Sequence, residues 1–153
     1  VGDRIVASLL MPVRGSGRRD VVPPPLAELG ALVESGSVGF SLVRIDDTGT
    51  VAAKAALSQL DWCAGQSIRF EVSAGLLVVA RAGEDATARI PSKMGVVLPA
   101  RLRSRCRMRT GEQVLLASLI EHDLLVVYPQ HVLHAMVTGF HQSLLRSRDP
   151  RGE

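Results

Sequence analysis

Aromatic residues are scarce: one Trp, one Tyr and three Phe in 153 residues. The core must therefore be built from Val, Leu, Ala and Ile. Two cysteines, Cys63 and Cys106, are too few for a disulfide framework or a metal knuckle. No apolar run approaches the length needed to span a bilayer, and no leader-like segment stands at the start. The expectation is a cytoplasmic protein with no membrane partner. There is no Gly-rich phosphate loop, no nucleophile elbow and no Cys and His arrangement singled out by spacing. The chain is read as a non-enzyme without cofactor or metal. Acidic residues are missing altogether from 86–111.

What fills that window is basic. Arg89, Lys93, Arg101, Arg103, Arg105, Arg107 and Arg109 all fall inside it. The net charge of +3 and pI near 9.4 are mild for the whole chain, so placement is what counts. A localised cationic patch is the electrostatic footprint of a phosphate-binding surface. The length allows one ordinary domain or two small ones, and 46% hydrophobic content is enough for a core.

The stretch 94–113 (MGVVLPARLRSRCRMRTGEQ) reads as strand, short helix, turn and strand. Val96, Val97 and Leu98 form a short apolar run with two β-branched valines, and Pro99 presets φ for the first helical position, where its missing N–H costs nothing. Leu102 and Cys106, four apart, mark one apolar stripe. Arg101 and Arg105 lie on one flank and Arg103 on the other, with Arg107 and Arg109 just past the helix end.

A period of 46 residues runs through the middle of the chain. Gly49, Val51, Leu60, Trp62, Gly65 and Ile68 precede Gly95, Val97, Cys106, Met108, Gly111 and Val114 by that interval. The following hairpins also correspond, with two extra residues in the second turn. So many coincidences indicate a duplicated unit. The first copy carries only Lys54 on its helix, whereas the second keeps the charge. The first is read as mainly supplying fold and the second as supplying most of the contact surface.

The spacing of Val96, Val97, Leu98, Pro99, Leu102, Arg103, Cys106, Met108, Gly111, Glu112 and Val114 resembles the swapped-hairpin DNA-binding domain of the AbrB/MazE/SpoVT family, over about 86–129. The tandem arrangement resembles actinobacterial members of that family. The resemblance implies a mainly β fold with short helices (α+β), in which two tandem units interleave their hairpins as an intramolecular pseudo-dimeric β-barrel. It implies domains at 38–82 (a degenerate repeat) and 83–129 (a DNA-binding repeat), flanked by an N-terminal arm and helix (1–37) and a C-terminal amphipathic helix and tail (130–153). It places double-stranded DNA against Arg89, Lys93, Arg101, Arg103, Arg105, Arg107 and Arg109. One departure is that the Arg often following a Gly at the start of the second strand falls on Gly95. Trp62 takes an apolar core position, and Cys106 stands where the family usually has Leu, as a buried free thiol.

Outside the repeats, 1–11 fits one short strand or helical turn, 12–20 is a basic Gly/Ser/Arg loop, and a Pro run launches a helix over 26–34. A further helix is expected over 130–146, with Val132, Leu133, Met136, Val137, Phe140 and Leu144 as an apolar stripe. That stripe either caps the barrel or pairs with a second copy. The last residues, 147–153, are expected to fray. His122, His131, His134 and His141 lack companions at metal-ligand spacing and read as surface or interface histidines.

The expected function is a sequence-specific transcriptional regulator bound to duplex DNA, nucleoid-associated when so bound. Two other readings stay open: an antitoxin that binds its operator and a protein toxin, and a protein-interaction module without DNA contact. The basic amphipathic C-terminal segment argues against the acidic, weakly ordered tail of such antitoxins.

Overall fold

The computed structural model describes residues 37–148. The expected N-terminal strand or turn, the basic loop, the 26–34 helix and residues 149–153 of the tail lie outside the described residues. In chain order the elements are β1 (Val38–Arg44), β2 (Thr50–Ala52), α1 (Lys54–Gln59), β3 (Ser67–Ser73), β4 (Leu76–Arg81) and β5 (Ala88–Arg89). They continue as β6 (Gly95–Val97), α2 (Ala100–Arg105), β7 (Gln113–Leu119), β8 (Leu124–Tyr128) and α3 (Gln130–Arg148). A single 3-10 turn, Ile120–His122, joins β7 to β8. The protein is mainly β with few helices, an α+β fold.

Six strands form one antiparallel sheet in the order β1-β7-β8-β4-β3-β5, and β2 and β6 form a separate two-stranded ribbon. The hairpins β3–β4 and β7–β8 meet through β4 and β8 at the sheet centre. Flanking strands cross over. β1, which precedes the first hairpin, pairs with β7 of the second, and β5, which precedes the second, pairs with β3 of the first. Inner strands with both faces covered read as continuous apolar runs, and β8 (LLVVY) is buried at every residue.

Strand alternation sends neighbouring side chains to opposite faces and so builds two cores. Leu77, Val79, Val114, Leu116, Leu125 and Val127 face the ribbon and the two short helices, packing with Val51, Leu57, Trp62, Val96 and Leu98. Val78, Ala117, Leu119, Val126 and Tyr128 face the other way, against Val132, Leu133 and Met136 of α3. Burial pushes the Tyr128 phenol up to about 12. Helices of six residues are too short to persist alone, so α1 and α2 exist by packing. Leu57 is fully buried on α1, and Leu102 packs on the same core from α2.

The two halves repeat each other's backbone hydrogen bonds. Trp62 N–H donates to Leu57 O at 2.9 Å and Met108 N–H to Arg103 O at 2.8 Å; Asp61 N–H donates to Ser58 O at 3.1 Å and Arg107 N–H to Ser104 O at 3.2 Å. Each set closes a helix through a residue in the left-handed region, Asp61 at φ 57° and Arg107 at φ 55°. This is the Schellman closure, with a charged residue where glycine is usual. The crossing is likewise reciprocal: Gly111 N–H donates to Ile45 O and Gly65 N–H to Ile90 O, both at 2.7 Å.

Two local expectations are refined. Pro99 is the residue before α2, not its first helical residue: its ψ is 135°, and its carbonyl accepts from Leu102 and Arg103 N–H. The C-terminal helix runs two residues further than its apolar periodicity indicated, to Arg148. Its first half covers the sheet, while Val137, Phe140, Leu144 and Leu145 stay exposed. Among the described residues no helix is long and apolar enough to cross a membrane.

Candidate nucleic-acid interface

The helix α2 and the turn after it carry five of the seven cations singled out in the sequence. Arg101, Arg105, Arg107 and Arg109 are exposed, and Arg103 is half-buried. Buried Cys106 and Met108 point the opposite way and anchor the unit to the core. Burial pushes the Cys106 thiol up, with Arg105 pulling weakly in the other direction. Among the described residues the ion pairs join Arg69 to Glu71 and Asp85, and Arg81 to Asp123. None of them draws on the α2 unit, whose guanidinium charge is left uncompensated by a contacting carboxylate.

Arg103 differs from its neighbours. Its Nε donates to Leu98 O at 2.9 Å, and its guanidinium lies over Gly49, where an added Cβ would come within 2.9 Å of it. It braces the β1–β2 loop against α2. A guanidinium so held is a fixed charge, whereas Arg101 and Arg105 are free to follow a ligand.

Arg89 and Lys93 are carried elsewhere by the strand crossing. Arg89 pairs with Ser67 at the edge of β3, and Lys93 lies in the exposed loop after it. The backbone between them is tied to the turn that follows α1: Gly65 N–H donates to Ile90 O, and Ile90 N–H to Gln66 O at 3.0 Å. The seven cations therefore divide into five on the α2 unit and two beside the α1 unit.

In exchange, the crossing delivers first-half residues to α2. Arg44, absent from the sequence-based set, donates from Nη1 to Gly111 O at 2.5 Å. Asp46 and Asp47 arrive on the same loop as Gly49, so a window free of acid along the chain has carboxylates beside it in space. The Asp46 carboxylate is already engaged by Thr48 Oγ1 at 2.7 Å and by the N–H groups of Thr48 and Thr50, both at 2.9 Å. These bonds, that of the Thr48 hydroxyl first, hold its carboxyl below the usual carboxylate range. No local signal could have placed Arg44 here, because 67 residues separate it from Gly111.

Gly95 is buried, and a Cβ there would meet Thr50 Cγ2 at 2.9 Å and the Val51 carbonyl at 3.1 Å. An arginine does not fit at this point of the β2–β6 ribbon without displacing backbone.

The start of α3 completes the surroundings. Gln113 N–H donates to Gln130 Oε1 at 2.9 Å, and His131 Nε2 lies 3.0 Å from Cys106 O. A carbonyl only accepts, so this nitrogen carries the proton. Between α2, the turn after it and α3 is a cleft of about 1010 Å³. His131 and His134, read from the sequence as surface or interface histidines, are exposed and line it beside Arg107 and Arg109. Among the described residues no group of three or more His, Cys, Asp or Glu could hold a metal ion. Comparison with protein-family models finds no match, and comparison with curated proteins finds none either.

Proposed function

We propose that this chain is a double-stranded-DNA-binding transcriptional regulator that reads its site with the arginine-rich surface of α2 and the following turn. The observation that carries this reading is the group Arg101, Arg105, Arg107 and Arg109: exposed, on one helix-turn unit, with no contacting carboxylate among the described ion pairs. Guanidinium forks suit phosphate oxygens and guanine edges, and uncompensated ones bind phosphate by releasing counterions. The fold reading that accompanies it is a pair of swapped-hairpin, AbrB-like units in one chain. Its support is the reciprocal crossing of β1 onto β7 and of β5 onto β3. In this reading Arg44, Arg89 and Lys93 position the protein on the backbone.

Fluorescence-anisotropy titration of a mixed-sequence duplex at several salt concentrations tests it. Neutralising about three to five phosphates per chain gives a log–log salt slope of roughly −3 to −4.5. Arg101→Ala/Arg105→Ala spares the Arg103 brace and should make the slope shallower by roughly two. Absence of binding by the folded protein at low salt would sink the proposal and turn attention to the protein-interaction and antitoxin readings, for which a co-purifying partner is the signature.

A second surface concerns self-association. Phe140 and Leu145, 56% and 66% exposed, continue the helix beyond the part seated on the sheet. We propose that this distal half pairs with the same surface of a second copy, presenting two arginine units to a palindromic site.

A further inference from the structure

The cleft between α2, its following turn and α3 has a composition that selects for one kind of ligand. Arg103, Arg107 and Arg109 face it against a single carboxylate, Glu112. That carboxylate is turned toward the chain itself, accepting from Arg109 N–H at 3.4 Å. Thr110 and Ser104 add hydroxyls, and His131 and His134 add imidazoles. The lining is therefore cationic and rich in donors.

Its walls are fixed before any ligand arrives. Arg103 is held by Leu98 O, His131 by Cys106 O, and Gln130 by Gln113 N–H. The last two bonds join α3 to the end of α2 and to β7, and the first ties α2 to the strand before it, so binding need not order the backbone of the walls.

We propose that this cleft binds a phosphate group, with Arg107 and Arg109 supplying guanidinium forks and Thr110 and His134 supplying further donors. Arginine pairs with phosphate through parallel N–H···O bonds, and hydroxyl and imidazole donors fill the oxygens that remain. The phosphate belongs either to the backbone of a duplex passing over α2 or to a free phosphorylated small molecule. The second source needs no DNA at all, so the site goes beyond the regulator reading.

The test is an NMR titration of the full chain carrying ¹⁵N-labelled histidine and arginine. Inorganic pyrophosphate and a mixed-sequence duplex are added each alone, and duplex is also added to the pyrophosphate-saturated protein, for wild type and Arg107→Gln/Arg109→Gln, with His134→Gln as a second variant. Saturable shifts of the His134 imidazole and the Arg107 and Arg109 Nε–H signals are expected. In the arginine variant the His134 midpoint should weaken roughly tenfold or more, with backbone amide spectra preserved. His134→Gln should weaken the arginine midpoints less. Shifts with pyrophosphate that the duplex displaces assign the site to backbone phosphate, as do shifts with duplex alone. Shifts with pyrophosphate and no response to duplex assign it to a free phosphorylated ligand and count against the regulator reading, leaving the site standing. If these side chains shift with neither, or if the arginine variant keeps the wild-type midpoints, the site is overturned. In that case anisotropy binding of duplex would still uphold the regulator.

Discussion

The guanidinium of Arg103 occupies the space over Gly49 into which any side chain at that position would grow. Gly49 sits at φ 82°, and its missing Cβ would lie 2.9 Å from Arg103 Cζ, Nε and Nη2. The β1–β2 loop and α2, more than fifty residues apart in the chain, are thus fitted to each other.

Gly49→Ala should be destabilising on two counts, the left-handed backbone and the displaced guanidinium. Gly65→Ala, at φ 88° with nothing within 4 Å of where its methyl would stand, isolates the first. The expected loss for Gly65→Ala is about 1–2 kcal/mol, with Gly49→Ala larger. Urea denaturation compares them; equal losses would mean that the Arg103 contact contributes nothing.

Arg107 closes α2 in a conformation that favours glycine. Arg107→Gly should therefore raise stability by about 0.5–1 kcal/mol while weakening duplex binding. Thermal melts and anisotropy on the same preparation read the two effects, and a variant that loses both would contradict this account of the turn.

Asp123 joins the halves: it accepts from the Trp62 indole at 2.8 Å and from Arg81 Nε at 2.5 Å. Burial alone would raise its carboxyl, but the bonds from Arg81 and Trp62 and the Arg81 charge outweigh it and hold it below the usual range. A folded-state value below the unfolded one contributes stability that is fully present above the unfolded value of 3.8. That contribution is lost as pH falls through the lowered value. Melts between about pH 6 and 2.5 should show Asp123→Asn less stable at the upper end and less steeply acid-sensitive below about pH 4. Parallel curves for the two proteins would rule the contribution out.

The two thiols should differ in reactivity. Cys63 is exposed, while Cys106 is buried with its thiol pushed up. A thiolate reagent should modify one cysteine quickly and the second only after unfolding. Cys63→Ser should abolish the fast phase, and a persistent fast phase would place Cys106 at the surface.

Self-association should depend on the distal half of α3. Phe140→Asp/Leu144→Asp leaves the sheet-covering residues Val132, Leu133 and Met136 untouched. Sedimentation velocity should report a dimer for wild type and a monomer for the variant. A wild-type monomer across the micromolar range would refute pairing through this helix.

Much of the fold was written in local pattern. Alternation and continuous apolar runs marked the strands, Gly65 and Gly111 the turns, and Leu102 and Cys106 the buried side of α2. From the helices onward the 46-residue spacing picked out positions whose backbone hydrogen bonds recur, Trp62 with Met108 and Gly65 with Gly111. In the ribbon the matching of Gly49 with Gly95 and Val51 with Val97 is corrected by one residue: Met94, not Gly95, repeats the left-handed turn of Gly49, and buried Val51 pairs with buried Val96 while Val97 is exposed. Trp62 was legible as core, though its partner Asp123 was not, since a hydrogen bond across 61 residues leaves no trace in spacing.

Along the chain, the sequence by itself determined the α+β character, the two hairpins, the cationic character of α2 and the burial of Cys106. These follow from short-range periodicity, charge order and turn chemistry. The tertiary structure alone decided which cations stand together. Because β1 pairs with β7 and β5 with β3, Arg44 and Asp46 move to the α2 side while Arg89 and Lys93 move to the α1 side. It also made Arg103 a brace, excluded a side chain at Gly95, and opened the cleft that joins His131 and His134 to the arginines. Strand pairing across the halves is a long-range choice, made by burying two apolar faces at once.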